Sequence, residues 1–127
     1  MAPTILLVED DDDIRTLATL LLHGAGYTVL GTAHGQDGLR LLAEHPVDLV
    51  ILDINLPGID GWEVARRLRA DPRRPRLPIL VFTVLSTRPD PAVLELVDGY
   101  LSKPFERDDF LAAVAALLAP SAPTPAP

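Results

Sequence analysis

Cysteine is absent from the chain, which excludes a disulfide framework, a thiolate zinc site and a cysteine nucleophile. Basic residues are scarce: Lys103 is the only lysine, and eleven Lys and Arg face eighteen Asp and Glu for a net charge of −7. Nucleic-acid binding needs a basic patch or stripe, so no direct nucleic acid contact is expected. Long apolar runs are also missing. No stretch reaches the roughly 20 residues of a membrane span, and the N-terminal MAPTILLVEDD has no basic segment ahead of its short apolar run. Neither a signal peptide nor a membrane association is expected, and the expected address is cytoplasmic.

What the chain does have is the material of one ordinary globular domain: 127 residues, 48% hydrophobic and 23% charged. A second full domain has no room. Short apolar runs rich in Val, Ile and Leu recur at residues 5–8, 27–30, 49–52, 77–82 and 99–101. Each is too short for a helix and reads as a strand, some of them buried on both faces.

Helical spacing fills the intervals. Ile14, Leu17, Ala18, Leu21 and Leu22 mark one face of a helix ending near His23-Gly24. Leu39, Leu41 and Leu42 mark a second, stopped by Pro46; Trp62, Val64, Ala65 and Leu68 a third, closed by Asp71-Pro72. Val93, Leu94, Leu96 and Val97 suggest a short fourth behind Pro89 and Pro91, and residues 110–118 a fifth. Strands alternating with helices predict right-handed crossovers, a parallel sheet covered on both faces, and so a doubly wound α/β sandwich with five strands. The domain is placed at residues 1–119. Residues 120–127, PSAPTPAP, read as a flexible Pro/Ala-rich tail or the stub of a linker.

In such a sheet chemistry collects beyond the carboxyl ends of the strands, where the strand order reverses. Strand 1 ends on Glu9-Asp10, strand 3 on Asp53, strand 4 on Thr83, and strand 5 runs through Ser102 to Lys103-Pro104. Three carboxylates, a hydroxyl and the only lysine therefore converge on one rim. Asp11 to Asp13 fit a helix start equally well, since Asp is a good N-cap and acids favour a helix N-terminus. Asp53 could serve as a turn former, but Pro57-Gly58 makes a turn without it. His23, His34 and His45 lack ligand spacing and read as surface residues.

Clustered carboxylates repel one another unless a cation joins them. A solvent-open site with few oxygen ligands suits Mg²⁺, which keeps waters and shares itself with phosphate. The cluster thus points to phosphate chemistry. Asp53, on the central strand, is the candidate nucleophile for an aspartyl phosphate. Glu9 and Asp10 are left to hold the metal, with Thr83 and Lys103 to stabilise phosphoryl oxygens.

These residues resemble the receiver domains of two-component response regulators over residues 4–119. ILLVEDDDDIR is similar to the opening strand with its acidic pair, DLVILDINLPGIDGWE to the phosphoacceptor strand and loop, PILVFT to the strand ending in a hydroxyl residue, and GYLSKPF to the lysine-proline turn. The resemblance implies a flavodoxin-like (βα)5 sandwich with a five-stranded parallel sheet in the order 2-1-3-4-5, Asp53 as the phosphorylated residue, and Mg²⁺ held by Glu9, Asp10, Asp53 and the backbone carbonyl of Asn55, with Asp10 the more direct ligand of the acidic pair. Thr83 and Lys103 would bind the phosphoryl group, Thr83 and Tyr100 would form the switch, and Lys103-Pro104 would be cis. The implied partners are a histidine kinase or phosphotransfer protein and a downstream protein target or detached effector, the chain being a monomer or a weak phosphorylation-dependent dimer. Departures fall at Val84, where the family has a small residue and where extra bulk would slow phosphoryl gain and loss, at a shortened stretch before Lys103, and at Leu96-Val97, where Gly-Ala is common.

Two other readings compete. A docking module that works without phosphorylation would not require the full set of site residues. A phosphohydrolase of the haloacid-dehalogenase type needs a second acid two residues after the nucleophile, where Asn55 stands, so enzyme activity beyond self-phosphorylation and autodephosphorylation is not expected.

Overall fold

The computed structural model describes residues 2–54, 61–73, 77–84 and 95–119, without the side chains of Thr83 and Val84. Along the chain run β1 (Thr4–Val8), α1 (Asp12–Gly24), β2 (Thr28–Thr32), α2 (Gly35–Glu44), β3 (Leu49–Asp53), α3 (Gly61–Ala70), β4 (Ile79–Val84), β5 (Gly99–Lys103) and α4 (Arg107–Leu118). All five strands are parallel and lie in the expected order, β2-β1-β3-β4-β5. The fold is the flavodoxin-like doubly wound sandwich.

Strand alternation explains why the central strands are apolar throughout. In β1, Leu6 and Val8 join one core with Val50, Leu52, Val64 and Leu68, under α2 and α3. Ile5 and Leu7 point the other way and meet Leu49, Ile51, Leu22, Phe110 and Val114, under α1 and α4. Every residue of β3 is buried. Each fully buried Leu, Ile or Val contributes about 1.5–3 kcal/mol, so this strand is the best anchored place to carry a reactive side chain.

The helix ends follow local chemistry. Asp11 Oδ1 accepts from the N–H groups of Asp13 at 2.9 Å and Ile14 at 3.1 Å, so of the four consecutive aspartates Asp11 is the N-cap and Asp12 and Asp13 occupy the first turn. Gly26, at φ 97°, turns the chain back into β2. α2 stops at Glu44, ahead of Pro46.

The expected face of α1 is corrected: Ala18 and Leu22 are buried, but Leu17 is 50% exposed, because the helix meets the sheet along a narrower stripe than the leucine spacing suggests. β4 also runs past Thr83 to Val84, which pairs with Lys103. Leu96 and Val97 pack against the α2/α3 core, while Glu95 and Leu96 form a turn. Val93 and Leu94 of the expected fourth helix, the Pro57-Gly58 turn and the 120–127 tail lie outside the described residues.

Candidate functional site

The switch point of the strand order lies between β1 and β3, and the chain leaving these strands carries the acids. Glu9 follows β1 directly, tied by its N–H to the Thr32 carbonyl at 3.0 Å. Asp53 ends β3, paired in register with Phe82. Glu9 is fully buried and Asp53 is 4% exposed, whereas Asp10 is exposed. Carboxylate oxygens of Glu9, Asp10 and Asp53 all lie within 4.8 Å of one another.

Lys103, the last residue of β5, reaches across to both buried acids. Its Nζ lies 2.6 Å from Glu9 Oε1 and 2.9 Å from Asp53 Oδ2. Phe82, stacked on Phe105 and tilted against Phe110, places its ring centroid 5.9 Å from the ammonium, within the range of a cation–π contact. The second Glu9 oxygen, Oε2, accepts from the Asp11 N–H at 3.1 Å. The Lys103-Pro104 peptide is cis, as the resemblance implied.

Lys103 thus meets two of the three clustered carboxylates, Glu9 and Asp53, and the crowding of negative charge shows in the titration of Glu9. Burial, then a hydrogen bond shared with Asp53, raise the Glu9 carboxyl to about 7, against the lowering influence of Lys103 and the Asp11 N–H. Burial works against the Lys103 ammonium, but its hydrogen bonds to Glu9 and Asp53 prevail and hold its pKa above the ordinary value.

The Glu9 shift has a defined sign for metal-free stability. Between pH 4.5 and about 7 the folded state keeps a proton that the unfolded state has lost, so stability falls as pH rises through that window and the cost is complete above it. Thermal melts in EDTA from pH 5 to 8 should show this decline, on the order of a few kcal/mol. Glu9→Gln should remove that component; an unchanged profile would show that Glu9 does not titrate there.

The donor set fits a hard divalent cation: all-oxygen, anionic, and exposed on the Asp10 side. Of the expected site residues, the structure brings together Glu9, Asp10, Asp53 and Lys103. Thr83 pairs with Ser102 in the β4–β5 register, but its side chain, like Asn55, is outside the described residues. Tyr100, paired with Val81, is 45% exposed. Gly61 was not singled out in the sequence. It opens α3, donates its N–H to the Ile54 carbonyl at 3.0 Å, and lies so close that an added Cβ would sit 2.4 Å from the Asp53 carbonyl oxygen.

Comparisons with known proteins show the family of the chain. A family model described as the response regulator receiver domain matches residues 5–115. The chain is 47% identical over 106 residues to the transcriptional regulatory protein AfsQ1 of Streptomyces coelicolor, covering 82% of this chain and 46% of that protein. It spans about half the length of the curated relatives it matches. Among solved structures, TrrA of Thermotoga maritima, in complex with Mg²⁺ and BeF, is 33% identical at a TM-score of 0.84, covering 91% of this chain and 99% of that one. The receiver domain of the sensor histidine kinase PA1611 of Pseudomonas aeruginosa, with a magnesium ion in its active-site cleft, is 29% identical at a TM-score of 0.85, covering 94% and 100%. Sheet order, the acidic cluster at the switch point and a family match over most of the chain lead to one conclusion: this chain belongs to the receiver domains of two-component response regulators.

Proposed function

We propose that the protein is a Mg²⁺-dependent phosphoacceptor, taking a phosphoryl group on Asp53 from a histidine kinase or phosphotransfer protein and changing its contacts with a downstream protein accordingly. The observation that carries this reading is the meeting of Glu9, Asp10, Asp53 and Lys103 at the ends of β1, β3 and β5.

In transfer from a phosphohistidine, an Asp53 carboxylate oxygen forms a bond to phosphorus while the phosphorus–nitrogen bond breaks and its electron pair stays on the imidazole. Little covalent work is asked of the protein beyond positioning and charge stabilisation. Lys103 already stands at the Asp53 carboxylate and would follow the negative charge onto the phosphoryl oxygens, with the Thr83 hydroxyl as second donor by its match to the family pattern. Asp10, Asp53, Glu9 and the Asn55 carbonyl would hold Mg²⁺, which when bound neutralises the cluster and the incoming phosphoryl oxygens. Tyr100, exposed on the edge strand, is the residue to report the change outward with Thr83. Apart from gaining and losing phosphate, no catalytic turnover is assigned, and the location that suits a kinase partner is the cytoplasm.

Metal linkage tests this reading. A cation that binds only the folded state stabilises it by about 2.7 kcal/mol at a hundredfold excess over Kd. The melting temperature should therefore climb with Mg²⁺, and climb less in Asp10→Asn. An equal climb in that variant would place the ion elsewhere.

A further inference from the structure

The acidic pair lies on the short irregular stretch 9–11 between β1 and α1, and the segment 9–12 that leads from it into the helix is held at several points. One tie runs to β2, the Glu9 N–H on the Thr32 carbonyl, and a second is local, the Asp11 N–H on Glu9 Oε2. The third comes from Arg15, whose side chain folds back from the first turns of α1. Its Nη1 donates to the Glu9 carbonyl oxygen at 2.8 Å, and its Nη2 donates to Asp12 Oδ1 at 2.5 Å. The guanidinium thus spans both ends of the segment, with Asp10 between them. The side chain is 25% exposed, and its stem runs over Gly31 of β2, where an added Cβ would lie 3.7 Å from Arg15 Cδ. The contact to a backbone carbonyl six residues away fixes where Glu9 and Asp10 leave the strand, not merely the charge around them.

We propose that Arg15 is a positioning residue for the cation site: it braces the segment 9–12 so that the Glu9 and Asp10 carboxylates stay directed at the space they share with Asp53. This rests on the Mg²⁺ reading above. The claim has a sign that charge alone cannot produce. A guanidinium beside a cation site repels the cation, so by Coulomb's law removing it should tighten Mg²⁺ binding. Removing a group that orients metal ligands instead loosens it, typically by 10–100-fold.

The experiment is a calorimetric titration with Mg²⁺ at constant ionic strength, on the wild type, Arg15→Met and Arg15→Lys, with thermal melts of each in EDTA. Arg15→Met keeps the apolar stem over Gly31 and removes the donors. Its Mg²⁺ Kd should rise by about tenfold, while its melt without metal stays close to that of the wild type. Arg15→Lys keeps one charged donor able to serve one partner at a time, and its Kd should fall between the two. Unchanged or tighter binding in Arg15→Met would overturn the proposal while leaving the metal site intact. If Arg15→Met does not fold, wild-type affinity in Arg15→Lys overturns it and an intermediate Kd supports it. A wild type that takes up no Mg²⁺ would overturn the metal reading itself, and the brace with it.

Discussion

With Mg²⁺ and acetyl phosphate, the intact mass of the protein should rise by one phosphoryl group, and in Asp53→Asn that gain should vanish. The reason lies in how the three acids are held. Glu9 is wholly enclosed, with Oε1 against Lys103 and Oε2 on the Asp11 N–H, so neither oxygen is placed to attack a donor. Asp10 is exposed, on the side from which a hydrated ion enters. Asp53 ends a strand buried at every residue, touches Lys103, and of the two buried acids is the one that keeps some exposure, 4% against none for Glu9. An amide at this position is a poor nucleophile and gives Lys103 a weaker partner, so the loss should be complete within detection. Persistence of the modification in Asp53→Asn would assign the nucleophile to another residue.

Gly61→Ala should be the most damaging single methyl group in the vicinity of the site. The added Cβ would lie 2.4 Å from the Asp53 carbonyl oxygen and 2.8 Å from Ile54 Cα. Both are backbone atoms and cannot rotate aside. Relief requires α3 to withdraw from the end of β3, which disturbs Val64, Ala65 and Leu68 in the core above it. Overpacking of this kind costs about 3 kcal/mol, or roughly 10 °C in melting temperature for a domain of this size. Because the clash is with the residue that carries the candidate nucleophile, phosphoryl gain should slow as well. A melting temperature within two or three degrees of the wild type, as for an ordinary surface change, would mean that α3 shifts freely and that the close approach is not required. By contrast, Gly38 would meet Val8 Cγ2 at 2.9 Å, a side-chain atom with some room to give.

The site was legible in the sequence to the extent that it follows from strand ends. Val50 to Leu52 running into Asp53, and Ile5 to Val8 running into Glu9, are signals because parallel sheets place apolar residues on both faces and chemistry beyond the carboxyl ends. Other features depend on what packs where, and no periodicity carries them. Leucine spacing alone put Leu17 on the buried face of α1, but the contact with the sheet is carried by Ala18 and Leu22. The Asp12–Arg15 pair is an ordinary i,i+3 spacing, whereas the Arg15 contact to the Glu9 carbonyl exists only once β1 and α1 are folded together. Gly61 could have been suspected from Asp60-Gly61 just ahead of a helical pattern, since a glycine there marks a close backbone approach. Nor could strand ends alone say that Glu9 would be sealed in and joined to Lys103 while Asp10 faces solvent.

The most direct measurement of the central claim is a crystal structure of the protein grown with Mg²⁺ and beryllium fluoride, which stands in for a phosphoryl group. The account predicts beryllium on an Asp53 carboxylate oxygen, the magnesium ion in contact with Asp10 and Asp53, and Lys103 Nζ moved from Asp53 onto a fluoride. Beryllium fluoride or magnesium bound away from Asp53, or Lys103 still paired with Asp53 beside an occupied site, would contradict it.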